Sequence, residues 1–160
     1  MPRSALPLTL ACLLVGCGFG ADEGRGHVER VLVETPRIAA FAFALAEPPV
    51  STYNQDGKYP DWIGSVRFAR FEWKQVSKQA YLARATVTLE PGPKLRALQP
   101  PVDKPAELEL SVSFLVHQTP PPIVFLPGRN SLVPTQWRIT KLDGRTVSEG
   151  GSAADYRTEN

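Results

Sequence analysis

The sequence predicts an α+β domain, with one or two N-terminal helices packed on a curved antiparallel sheet. Three observations carry that expectation. Apolar residues recur at helical spacing between Val28 and Ala46, later segments alternate apolar and polar residues with period two, and clusters of turn formers bound those segments. An all-β sandwich is the alternative, and the placement of the helices decides between the two.

Within the helical region, Val28, Val31 and Leu32 share one spacing, and Ile38, Ala39, Ala42 and Leu45 share another. Pro36 divides them. Thr35 suits an N-cap and Pro36 the first helical position, so a second helix is expected from Pro36 to about Ala46, ending before Pro48 and Pro49. The stretch Val28–Glu34 also reads as a strand, because Val31 and Val33 are β-branched and alternate with charged residues. Residues 51–64 form a turn-rich loop carrying Tyr53, Tyr59 and Trp62.

Segments Val66–Val76 and Ala80–Glu90, separated by Ser77, Lys78 and Gln79, read as a long hairpin. Tyr81, Ala83, Ala85, Val87 and Leu89 fall on one face of its second strand. In the first strand Val66 and Phe68 are out of phase with Phe71 and Trp73, which calls for a bulge near Ala69 and Arg70. A proline-rich connection follows, with a short helical turn around Leu95–Leu98. The clearest strand runs through Leu108, Leu110, Val112, Phe114 and Val116. Further strands are expected at Ile123–Leu126 and Val133–Leu142, then a tight turn at Asp143-Gly144 and a short edge at Arg145–Val147. Residues 149–160 read as a disordered tail.

Length and composition bound the rest. A chain of 160 residues, 42% hydrophobic and 21% charged, is one ordinary globular domain. Eighteen basic against sixteen acidic residues give a net charge of +2, too little for nucleic-acid binding. Sixteen prolines favour bounded strands and stiff loops over long helices.

Residues 1–16 have the order of an export signal: Arg3, then an apolar run from Ala5 to Val15 that is too short to span a bilayer, then a small residue. The run ends in Leu14-Val15-Gly16-Cys17, which resembles the bacterial lipobox. The resemblance implies a lipoprotein in which Cys17 is lipidated and becomes the first residue. An ordinary signal peptide cut elsewhere is the competing reading. With Cys12 removed alongside the signal, Cys17 is the one cysteine left and no internal disulfide can form. Two or three acyl chains make such anchoring stable where one is marginal. Residues 17–26, with four glycines, read as the lipidated cysteine and a flexible tether, and 27–148 as the single exported domain. Gly18 stands where an Asp favours inner-membrane retention in enteric-type sorting, so in a Gram-negative envelope the resemblance points to the outer membrane, facing the periplasm.

Early helices, a run of curved strands and the ending Thr135-Gln136-Trp137-Arg138-Ile139 together resemble the NTF2-like, or cystatin-like, fold. That resemblance implies a cone-shaped pocket in the sheet. Trp62, Phe68, Phe71, Trp73 and Tyr81 are the candidate ligand-binding residues for it. No family catalytic residue aligns.

Chemistry-bearing motifs are scarce. His27 and His117 lack the companions of a zinc site, no acidic calcium loop, phosphate loop or nucleophile elbow is present, and no catalytic, metal or cofactor residue is assigned. Arg67, Arg70, Lys74, Lys78 and Arg84 place positive charge on the hairpin, suited to anionic lipid or peptidoglycan carboxylates or simply to a solvated face. Two functional classes follow. The first is a non-enzymatic envelope lipoprotein that binds a protein partner or supports assembly at the membrane. The second is an NTF2-like small-molecule-binding module, or weak enzyme, with an apolar cone pocket.

Overall fold

A computed structural model describes residues 18–49, 62–119 and 129–152. Cys17, Tyr53, Tyr59, the strand expected at Ile123–Leu126 and residues 153–160 lie outside the described residues. Two helices open the described chain, α1 (Ala21–Glu34) and α2 (Pro36–Ala42). Strands β1 (Ile63–Ser77) and β2 (Ala80–Pro91) follow, then one helical turn, α3 (Pro93–Arg96). The chain continues through β3 (Ala106–Thr119), β4 (Arg129–Leu142) and β5 (Arg145–Ser152). All five strands form one antiparallel meander in the order β1-β2-β3-β4-β5.

The α+β expectation is corrected by this arrangement. More than half of the described residues lie in strands and about a fifth in helices, so the molecule is closer to all-β than to the NTF2-like class. The cause is local. Thr35 takes an extended conformation ahead of Pro36, and Ala44 turns to φ 52°, so the second helix ends at Ala42 rather than Ala46. The first four strands, at 12 to 15 residues, far exceed the usual five or six. The all-β alternative is nearer in strand content, although the described strands belong to one sheet rather than to the two of a sandwich.

The tether reading is corrected as well. Gly24 and Gly26 lie inside α1, which starts at Ala21, six residues before the expected domain edge. Glycine costs a helix up to about 1 kcal/mol, yet Gly24 is buried directly under Trp73, where a Cβ would come within 2.5 Å of the indole. Close approach is what glycine supplies there. The strand reading of Val28–Glu34 gives way to helix, since burying Val28, Val31, Leu32 and Val33 needs the 3.6-residue stripe.

Other expectations match the structure. The register of β1 on β2 shifts between Phe68 and Arg70, which is the bulge needed to put Val66, Phe68, Phe71 and Trp73 on one face. Asp143 and Gly144 both have positive φ, 48° and 79°, as a two-residue hairpin turn with the twist of its strands requires. The final strand is longer than predicted and runs to Ser152, so residues 149–152 are paired rather than part of a tail.

Helices α1 and α2 cover one face of the sheet. Between the layers lie Val28, Leu32 and Ile38 from the helices, Val87 and Leu89 from β2, Leu108, Val112 and Phe114 from β3, and Ile139 from β4. Full burial of each such side chain contributes about 1.5–3 kcal/mol. The opposite face carries the alternating partners, Arg84, Thr86, Glu109, Ser111, Arg138 and Thr140, and no described element covers it. No helix among the described residues is long and apolar enough to cross a membrane.

Candidate functional site

Of the residues expected to line a cone pocket, Trp62 and Tyr81 belong to the core, and Phe68, Phe71 and Trp73 are partly buried against it. Trp62 and Tyr81 are buried, at 1% and 4% exposure. Trp73 stacks on Tyr81 with ring centroids 4.9 Å apart and 14° between planes, Phe71 stacks on Trp73, and Phe68 meets Phe71 edge-on. Gly24 closes this row from above, and the Arg25 guanidinium lies 5.8 and 5.4 Å from the Phe68 and Phe71 ring centres. Phe19 seals the end: its amide donates to Tyr81 Oη at 3.2 Å, and its carbonyl accepts from Trp73 Nε1 at 2.8 Å. The four aromatics on β1 and β2 are brought together, but around a helix rather than a ligand.

Helical packing also explains the state of His27. Burial, followed by the nearby Arg30, lowers its pKa below the usual 6.5, against a weaker upward pull from Glu23. His27 meets Phe114 edge-on at 6.1 Å, and His117 lies exposed near the end of β3, so the two histidines share no site. Among the described residues no group of three potential ligands gathers to hold a metal ion.

Open concave space lies on the uncovered sheet face. One concavity of about 470 Å³ is lined by Arg70, Glu72, Arg84, Thr86, Glu109 and Ser111, among others. A second, of about 650 Å³, is lined by Ser111, Ser113, Gln136, Arg138, Gly150 and Ser152, among others. Ser111 belongs to both. Strand register explains why: Glu72, Arg84, Ser111, Arg138 and Gly150 are successive partners across all five strands and make one transverse row.

Arg84 and Arg138 sit two strands apart in that row, about 10 Å between backbones, with the Ser111 hydroxyl between them. Among the described residues neither guanidinium has an ion-pair partner, whereas Arg67 pairs with Glu90 at 3.1 Å and Lys141 with Glu109 at 3.3 Å. Gly150 ends the row without a side chain, and a Cβ there would stand 3.1 Å from the Trp137 carbonyl. Two free planar donors, flanking hydroxyls and an amide side chain at Gln136 suit recognition of a carboxylate or phosphate. They do not make a nucleophile–base pair.

A third concavity beside α2 is partly occupied by Arg37, which donates to Glu149 Oε1 at 2.8 Å and to the Gly150 carbonyl at 3.2 Å and lies 5.6 Å from the Trp137 ring centre. That arginine ties α2 to β5.

Of the hairpin cations noted in the sequence, Arg70 and Arg84 reach the uncovered face concavity. Arg138 and Ser111 were missed, because their nearness to Arg84 depends on register across two strand pairings, the second of them bulged. Alternation along each strand was the one available signal. Comparison of the chain with models of protein families, with curated proteins and with solved structures finds no match to any of the three.

Proposed function

We propose that this chain is a lipid-anchored, non-enzymatic binding module of the bacterial envelope that holds a small anionic ligand on the open face of its sheet. The observation that carries the reading is the Arg84–Ser111–Arg138 row, with both guanidiniums unpaired among the described residues. Two guanidiniums held about 10 Å apart, beside Glu72 and Glu109 but in an ion pair with neither, leave their forks available to a bound anion. The anion is a carboxylate or a phosphate, since both match the guanidinium fork.

The anchor rests on Leu14-Val15-Gly16-Cys17 at the end of a short apolar run. Ligand capture therefore takes place at the membrane surface, in a Gram-negative cell on the periplasmic side of the outer membrane.

Two measurements test the halves separately. Intact mass of the membrane-extracted chain is expected to show a diacylglyceryl or triacyl group on a protein beginning at Cys17, absent from Cys17→Ser. A soluble chain cut elsewhere sinks the anchor. Amide shifts on adding inorganic phosphate or citrate are expected to cluster at residues 84–86, 109–113 and 136–140. Shifts confined to the helices, or none at millimolar ligand, sink the binding face.

A further inference from the structure

We infer that the β1–β2 hairpin end of the sheet rests on an anionic lipid surface and dips its exposed apolar residues into it. Three placements carry this beyond the anion-binding row. Val76 and Leu115, exposed by 53% and 50%, are two of the three large apolar side chains most exposed among the described residues, and both lie at this end. Leu115 pairs with Ala80, the first residue after the hairpin turn, and Lys74 and Lys78 flank Val76. Apolar residues edged by lysines fit a headgroup boundary: the methyls enter the acyl region and the ammonium groups meet lipid phosphates.

Charge along the sheet is polarised in the same sense. No Asp or Glu occurs from Trp73 to Leu89 or from Leu110 to Leu142, while Glu90, Glu107, Asp143 and Glu149 belong to the far half. Acids near the hairpin end, Asp22 and Glu23, sit in the first turn of α1 in the helical layer. The strand layer thus presents bases and no acids to whatever lies beyond the hairpin.

Chain placement supplies the third argument. A Cβ on Gly18 would stand 3.0 Å from Tyr81 Oη, and Tyr81 is two residues from the hairpin turn. Phe19 is fixed there by its two hydrogen bonds. Gly18 is directly preceded in sequence by Cys17, so the inference rests on the anchor proposed above, which joins the chain one residue from this end.

The test uses the full chain with Val76→Cys, purified from membranes, labelled on the new thiol with an environment-sensitive fluorophore and placed in phosphatidylethanolamine–phosphatidylglycerol vesicles bearing nitroxide on the acyl chains. Arg145→Cys, roughly 23 Å further along the strand direction at the β4–β5 turn, is the reference. Quenching at position 76 is expected to exceed that at 145 at least threefold, and to fall when phosphatidylcholine replaces phosphatidylglycerol or when Lys74→Glu and Lys78→Glu are added. Equal quenching at the two positions overturns the inference. Label mass distinguishes this result from failure of the anchor, because an unacylated Cys17 takes a second fluorophore. In that event the same chain is sedimented with the vesicles, and its remaining in the supernatant overturns the inference too.

Discussion

At the scale of single residues, three side chains make opposed effects separable. Alanine at Gly24 gains up to about 1 kcal/mol of helix propensity but must push the Trp73 ring, at an overpacking cost of about 1–3 kcal/mol. Gly24→Ala is therefore expected to lower the melting temperature, while Gly26→Ala, with nothing within 4 Å of the added methyl, raises it by a few degrees. Calorimetry on the pair checks both signs. Thr35 is fully buried and its hydroxyl has no hydrogen-bond partner among the described residues. Thr35→Val keeps the shape and the extended backbone and removes an unpaired polar group, so denaturant unfolding is expected to show a gain of about 1 kcal/mol. His27 gives a pH signature. Its folded pKa lies below 6.5, so the unfolded chain binds the proton more tightly, and stability is full above pH 6.5 and declines as pH falls below it. His27→Phe is expected to flatten the pH dependence of the melting temperature in that window.

At the scale of elements, the β4–β5 turn shows how local chemistry sets register. Asp143 Oδ1 accepts from the Glu107 amide at 2.9 Å, and the Asp143 amide donates to the Glu107 carbonyl at 2.9 Å, which stitches the turn to β3. Asp143→Ala is expected to cost about 1 kcal/mol and to speed amide exchange in β5 more than in β2, which lies between two paired neighbours. This turn, the Phe68–Arg70 bulge and the alternation from Leu108 to Val116 were legible in the sequence, because each depends on residues close in the chain. The extent of α1 was not. Four glycines between 18 and 26 carry a linker signature, and the contact that seats Gly24 in a helix is with Trp73, nearly fifty residues away. The fold class was misjudged for a related reason: helical periodicity up to Leu45 says nothing of the turn at Ala44 that ends the second helix early.

At the scale of the whole molecule, one layer of helices covers one sheet face, and no other described element covers the opposite one. The aromatics that looked like pocket lining are on the sealed side, while the side chains available to a ligand are those that alternation assigns to water. Composition hid that division, because Arg84, Ser111 and Arg138 come from three strands and meet only through pairing. The measurement that tests the central claim most directly is titration calorimetry of citrate and inorganic phosphate into the wild-type protein and into Arg84→Gln/Arg138→Gln. Saturable binding at low salt is expected for at least one anion, weakened tenfold or more in the double variant and by added salt, as expected of a charge-assisted contact. Equal affinity in the two proteins, or no binding of either anion to the wild type, contradicts the account.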